Sequence, residues 1–170
     1  MSKHLKISIS ATSSAPSQEH LRKALEVVKE LYRLLKGRAV FYVGGYVGLM
    51  KEVVDELLSI NAKVVLILPI EYEGLYVPEE AVIVRTGMSF SGRNVVLVRT
   101  GDLLLALGGG SGSLMEVIAA LEMGKKVALL TGTGCLTDSL RNAFNEGIVD
   151  ERKRGCLYFI EGAGDLKKIF

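Results

Sequence analysis

The sequence predicts an α/β fold with a parallel β-sheet between two layers of helices, and three observations support this prediction. Along the 170 residues, short apolar runs of strand length alternate with longer segments of helical periodicity. The strand runs, such as VALL at residues 127–130, are continuously apolar, as in strands that are buried on both faces. Apolar residues make up 49% of the chain, which suffices for a packed core. We therefore expect one domain, residues 1–170, with a Rossmann-like three-layer sandwich and a sheet of about six to seven strands.

The predicted elements alternate along the chain. Strands are expected at residues 5–10, 39–43, 62–68, 81–85, 103–107, 126–130 and 157–160. Helices are expected at residues 17–35, 48–60, 91–99, 113–123, 136–145 and 165–170, and charged or glycine-containing loops at 71–80 and 149–154. The first helix is amphipathic, with Leu21, Leu25, Val28 and Leu31 on one face, and Pro69 ends the third strand. Because ligands of such sheets bind at the carboxyl ends of the strands, the loops that follow strands matter most.

Charge and composition exclude several classes of protein. The formal net charge is +2 and the charges are mixed, which argues against nucleic acid as a partner because a broad basic face is not expected. No apolar run has membrane-spanning length, and the opening MSKHLKISIS reads as a strand rather than a signal peptide. Cys135 and Cys156 match no metal-binding spacing, so we expect no metal site and a cytoplasmic protein with reduced thiols. His4 and His20 are expected at the surface.

Four loops that follow strands are rich in glycine, serine and threonine. They are ATSS at residues 11–14, GGYVG at 44–48, GGGSGS at 108–113 and TGTG at 131–134. Glycines let backbone N–H groups approach an anion, and a helix that begins directly behind adds its positive dipole end. The alternative is that these residues only form tight turns. The candidate ligand-binding residues are Ser13, Gly44, Gly45, Gly48, Gly109, Gly110, Ser111, Gly112, Ser113 and Thr131.

Two common phosphate-binding motifs are missing from the sequence. The dinucleotide fingerprint G-x-G-x-x-G should follow the first strand, but the GGYVG segment has another spacing and follows the second. No G-x-x-x-x-G-K-[ST] sequence occurs, which excludes a P-loop.

Three segments, GGYVGLM at residues 44–50, SGRNVVLVRTGD at 91–102 and GGGSGSLMEV at 108–117, resemble one superfamily. It contains the LOG-type phosphoribohydrolases, often misnamed lysine decarboxylases, and the molybdenum cofactor carrier proteins. The resemblance implies a Rossmann-like fold and a homodimer or higher homo-oligomer. The enzymes' P-G-G-x-G-T-x-x-E motif falls on residues 108–116, and their Arg-Lys pair falls on Arg93 and Asn94.

By this resemblance, Arg93 and Glu116 are the candidate catalytic residues, acting on the ribosyl–base bond of a nucleoside monophosphate, and the glycine segment holds the 5′-phosphate. The chain departs from the enzymes at Gly108 (Pro), Ser113 (Thr) and Asn94 (Lys), which brings it closer to the carrier-like branch. From the residues alone, Ser113 and Glu116 also fit a helix capping box. Arg93 is predicted in the first turn of a helix, where a cation opposes the dipole and indicates a compensating anion.

Two functions follow from these observations. The first is a binding or carrier protein for a phosphorylated, nucleotide-like ligand such as AMP or the molybdenum cofactor. The alternative is a nucleoside 5′-monophosphate phosphoribohydrolase that releases base and ribose 5-phosphate.

Overall fold

The seven strands form one parallel sheet in the computed structural model, which describes residues 4–144 and 155–170. The strands are β1 (Leu5–Ser10), β2 (Ala39–Val43), β3 (Lys63–Leu68), β4 (Val82–Arg85), β5 (Leu103–Ala106), β6 (Lys126–Leu130) and β7 (Cys156–Ile160). Their order across the sheet is β4-β3-β2-β1-β5-β6-β7. The chain thus builds outward from β1 in one direction and then returns to β5 on the other side of β1. This reversal opens a crevice between the loops that follow β1 and β5.

Helices cover both faces of the sheet. They are α1 (Gln18–Leu34), α2 (Gly48–Ser59), α3 (Phe90–Thr100), α4 (Ser111–Glu122) and the short α5 (Leu140–Ala143). Short 3₁₀ turns lie at Ile70–Tyr72, Leu136–Ser139 and Ala163–Lys168. Helix α1 packs beside α2, and α3 packs beside α4.

Strand β5 shows how the sheet separates two cores. Its four residues are all buried, and alternate side chains point to opposite faces. Leu103 and Leu105 join the core under α1 and α2, whereas Leu104 and Ala106 join the core under α3 and α4. This two-sided burial explains the continuous apolar runs in the sequence and confirms the predicted three-layer fold class.

Several element boundaries differ from the prediction. Helix α4 begins at Ser111, two residues before the expected start. The expected helices at 136–145 and 165–170 are mainly 3₁₀ turns, with one short α-helix at Leu140–Ala143. The predicted loop at 149–154 and the last residue of the 136–145 segment lie outside the described residues. His20 is buried rather than exposed, and its ring is accommodated there because Nε2 lies 2.5 Å from the carbonyl oxygen of Leu107, within hydrogen-bond distance.

Candidate functional site

A cavity of about 580 Å³ lies at the carboxyl ends of β1 and β5, where the strand order reverses. One wall is the end of β1 and the loop behind it, residues 9–14, and another is the first turn of α4, residues 110–113. Met50, Tyr72 and side chains of α3 and α4 complete the lining. This is the position at which open parallel sheets bind their ligands.

The N-terminus of α4 opens into this cavity without a side-chain cap. Gly110 is the N-cap residue, and no side chain accepts a hydrogen bond there. The N–H groups of a first turn have no intrahelical acceptor, and here no side chain replaces one. Gly110, Ser111 and Gly112 are exposed and line the cavity. Hydroxyls of Thr12 and the neighbouring serines line the opposite wall. Uncapped N–H groups, a positive dipole end and uncharged donors form an environment suited to an anion.

The capping-box interpretation of Ser113 and Glu116 is wrong. Because the helix begins at Ser111, Ser113 lies within its first turn, buried rather than flanking the helix. Glu116 is buried one turn further on, where its Oε1 lies 3.4 Å from Nη1 of Arg93. The carboxylate thus contacts a neighbouring helix rather than the backbone at the start of its own.

Arg93 and Glu116 form a buried ion pair in the cavity. Their side chains are 7% and 6% exposed. Burial raises the pKa of Glu116; the Ser10 hydroxyl, which lies near the carboxylate without a well-formed hydrogen bond, and the Arg93 guanidinium oppose that rise. Burial likewise lowers the pKa of Arg93, but from a value so high that the guanidinium stays protonated. The pair therefore brings both charges into the cavity with no net charge.

Three buried side-chain polar atoms have no hydrogen-bond partner in the described part of the chain. They are Ser10 Oγ, Arg93 Nε and Asn94 Oδ1. All three residues line the cavity. An unsatisfied buried polar atom destabilises a fold by about 1–3 kcal/mol, so such atoms are normally paired with protein, water or ligand. All three atoms are therefore left for water or a ligand to satisfy.

Aromatic and thioether side chains line another part of the same cavity. Tyr72 and Phe90 meet edge to face with ring centroids 5.1 Å apart. Phe90 is 41% exposed and Met115 is 40% exposed, although both are large apolar residues. With Met50 they give the cavity an apolar surface suited to a flat ring.

The structure brings together some of the predicted site residues and separates others. Those that line the cavity are Ser13, Arg93, Gly110, Ser111, Gly112, Ser113 and Glu116. Those outside its lining are Gly44, Gly45, Gly48, Gly109 and Thr131. The glycines at 44, 45 and 48 therefore lie beside the lining rather than in it, and from the described segment 44–50 only Met50 reaches the cavity.

These other glycines are explained by close packing within the protein. A Cβ at Gly44 would overlap Nη1 of Arg93, and one at Gly109 would overlap Oγ of Ser113. Gly48 has a φ of +51° and lies against the backbone of Ser13. Thr131 Oγ1 donates to the Ile160 carbonyl, 3.2 Å away, and so joins β6 to β7.

Ser10, Tyr72 and Phe90 are site residues that the sequence interpretation missed. Ser10 carried a signal, because a hydroxyl at the buried end of β1 needs a polar neighbour. Tyr72 follows β3 and Phe90 begins α3, so the two rings meet only when these elements pack together, which the sequence does not show.

Among residues 4–144 and 155–170, no three His, Cys, Asp or Glu side chains lie close enough to hold a metal ion. No helix in these ranges is both long and apolar enough to cross a membrane.

Sequence comparisons give a family and one short match to a curated protein. The sequence model of the SLOG cluster4 family matches residues 4–155. An uncharacterized protein of Archaeoglobus fulgidus is 47% identical over 38 residues, which span 22% of this chain and only 25% of that relative.

Solved structures share the fold over nearly the whole chain. TM1055, a structural-genomics target, superposes with a TM-score of 0.84 and 27% identity, covering 97% of both chains. A molybdenum cofactor binding protein from Rippkaea orientalis gives a TM-score of 0.76 at 22% identity, covering 99% of this chain and 96% of that one. DNA processing protein A from Streptococcus pneumoniae gives 0.71 at 15% identity, covering 98% of this chain but 62% of that one. The family match and these folds confirm the superfamily that the glycine motifs indicate.

Proposed function

The chain belongs to the SLOG cluster4 family, and we propose that it is a binding or carrier protein for a phosphorylated, nucleotide-like small molecule. The observation that carries this proposal is the uncapped N-terminus of α4, which opens into a cavity of about 580 Å³. The phosphate lies against the N–H groups of Gly110, Ser111, Gly112 and Ser113. The rest of the ligand extends toward Phe90.

The charges of the cavity support a small phosphate ester over a nucleic acid backbone. Arg93 and Glu116 are the only charged residues among those that line it, and they pair with each other. The phosphate is then held by backbone N–H groups and hydroxyls, and not by a row of cations of the kind that tracks a polynucleotide.

The ligand class is a phosphate monoester with a flat heterocycle. AMP fits this description, and so does the pterin of the molybdenum cofactor. The similarity in fold to a molybdenum cofactor binding protein supports the second candidate. The exposed faces of Phe90 and Met115 provide the contact for the ring in either case.

The Ser111→Asp variant tests the phosphate site. Ser111 is the first residue of α4 and is exposed, so a carboxylate there suits the helix dipole and spares the fold. It also occupies the position of the phosphate and should abolish binding. Gln18→Asp is the matched control, because Gln18 is the exposed first residue of α1 and lies outside the cavity lining.

Binding is measured as thermal stabilisation by AMP, other nucleoside monophosphates and a pterin phosphate. A hundredfold excess over Kd stabilises the folded state by about 2.7 kcal/mol. We expect stabilisation of the wild type and of Gln18→Asp, and none of Ser111→Asp. Equal affinity in Ser111→Asp would show that the ligand binds elsewhere.

A second candidate function is hydrolysis of the N-glycosidic bond of a nucleoside 5′-monophosphate. The buried pair of Arg93 and Glu116 favours it, because burial raises the pKa of Glu116, as in carboxyl groups that act in acid–base catalysis. Departure of the base leaves a cationic sugar, which the Glu116 carboxylate can stabilise; water then adds to the sugar, and the proton that water loses goes to the departing base. Chromatography of AMP, GMP, CMP and UMP incubations detects the free base. No release with any of them, or equal release by Glu116→Gln, would reject this function.

A further inference from the structure

Asn94 lines the cavity and carries a hydrogen-bond acceptor that has no partner. It follows Arg93 in α3, is 5% exposed, and its Oδ1 is buried. Gly112 lies next to it, since an added Cβ there would be 3.6 Å from Asn94 Nδ2. The amide thus lies beside the proposed phosphate site.

The fold gains little from this residue. Asparagine is a weak helix former, and Asn94 lies in the middle of an eleven-residue helix. A buried carbonyl oxygen without a donor destabilises the folded state, whereas an apolar side chain of similar shape would not. The chain therefore bears a stability cost at this position, which is typical of residues kept for binding.

The phosphate itself cannot supply the missing donor. An ionised phosphate accepts hydrogen bonds, and Asn94 Oδ1 needs an O–H or N–H group. Arg93 Nε, from the preceding residue, is an unpartnered donor in the same cavity. A neutral hydroxyl or N–H group of the ligand can donate to Asn94 Oδ1.

We propose that Asn94 is a specificity-determining residue whose Oδ1 accepts a hydrogen bond from a neutral O–H or N–H group of the ligand, beyond its phosphate. This inference rests on the proposed function. The Asn94 side chain then selects phosphate esters that carry a hydroxylated sugar or a ring with an N–H donor. It disfavours ligands that present a second anion at this position, because Asn94 Oδ1 would repel it.

One substitution of Asn94 tests the assignment, with AMP as the probe. Asn94→Leu removes the acceptor. We expect it to raise the urea midpoint of the ligand-free protein and to weaken AMP binding by about tenfold or more. Asn142→Leu, at an exposed position of α5, is the control and should change neither property.

Analogues of AMP identify the donating group. The 2′- and 3′-deoxy monophosphates remove sugar hydroxyls, and purine riboside 5′-monophosphate removes the exocyclic amine. The analogue that lacks the donating group should bind the wild type more weakly than AMP does, by the factor by which Asn94→Leu weakens AMP binding. Asn94→Leu itself should bind AMP and that analogue with equal affinity.

The outcomes separate this inference from the proposed function. A lower urea midpoint for ligand-free Asn94→Leu would show a structural role and overturn the inference. So would unchanged AMP affinity in Asn94→Leu while Ser111→Asp abolishes binding, and so would equal affinity of the wild type for AMP and for all three analogues. Wild-type protein that binds none of these monophosphates would overturn the proposed function for nucleotides and this inference with it.

Discussion

Replacing Arg93 with methionine should destabilise the protein because it leaves the Glu116 carboxylate buried without its cation. The two side chains are 7% and 6% exposed, and the charged atoms lie 3.4 Å apart. At an effective dielectric constant of about 20, Coulomb's law gives an attraction of about 5 kcal/mol at this distance. Breaking one partner of a buried pair typically destabilises by about 3–5 kcal/mol, which is consistent with that figure.

Protonation of Glu116 sets an upper limit to this loss. Burial already raises the pKa of Glu116, and removing Arg93 takes away one of the groups that oppose the rise. Keeping a carboxyl protonated at pH 7, when its unfolded pKa is about 4.3, disfavours folding by about 3.7 kcal/mol. The folded variant then binds a proton that the unfolded chain releases, so its stability falls as the pH rises above about 4.3. We therefore expect a loss of about 3–4 kcal/mol at pH 7, declining by about 1.4 kcal/mol per pH unit toward pH 4.

Urea unfolding of the wild type and Arg93→Met at pH 5, 6 and 7 measures this loss. Arg93→Met/Glu116→Leu removes both charges and should recover much of the stability, because an apolar pair of similar volume is often neutral or stabilising. Arg22→Met is the control, since Arg22 forms exposed ion pairs with Glu19 and Glu26 and should change little. A loss for Arg93→Met below about 1 kcal/mol, or one that does not vary with pH, would refute the reasoning.

Three further expectations concern the glycines and the assembly. Gly44→Ala should displace the Arg93 guanidinium, weaken AMP binding in calorimetric titrations and lower the unfolding free energy by about 1–3 kcal/mol; an unchanged titration would contradict it. Gly48→Ala should destabilise more in thermal melts, since φ is +51° and the added Cβ meets the backbone of Ser13, whereas Gly74→Ala has open space and should melt like the wild type. Sedimentation equilibrium should give a homodimer or higher oligomer, and a single species of 18.4 kDa would contradict this.

The sheet could be predicted from the sequence because the central parts of most strands are continuously apolar. Residues such as Leu104 and Leu105 face opposite cores, so both had to be apolar and the run is continuous. The strand order carried no comparable signal. Without it, the loops at 44–48, 108–113 and 131–134 looked equivalent, although of these three only the loop at 108–113, beside the β1–β5 reversal, contributes to the lining of the cavity.

The start of α4 was misplaced because local rules and tertiary contacts disagree there. Glycine and serine are weak helix formers, and the Ser113–Glu116 spacing satisfies the capping-box pattern. In the fold, Glu116 instead pairs with Arg93 across two helices, which no local pattern encodes. The dipole argument for Arg93 did indicate a nearby anion, and the structure supplies one in Glu116.

The glycine-rich segments cluster around the cavity for two different physical reasons. Gly110 and Gly112 leave backbone N–H groups open to the cavity, whereas Gly44 makes room for the guanidinium of Arg93. Loss of binding after a glycine substitution therefore does not distinguish direct contact from displacement of a neighbour. Ser111→Asp does distinguish them, because it adds a carboxylate at an exposed first helical position without moving the backbone. A charge change at Ser111, rather than a volume change at a glycine, is thus the substitution that locates the phosphate.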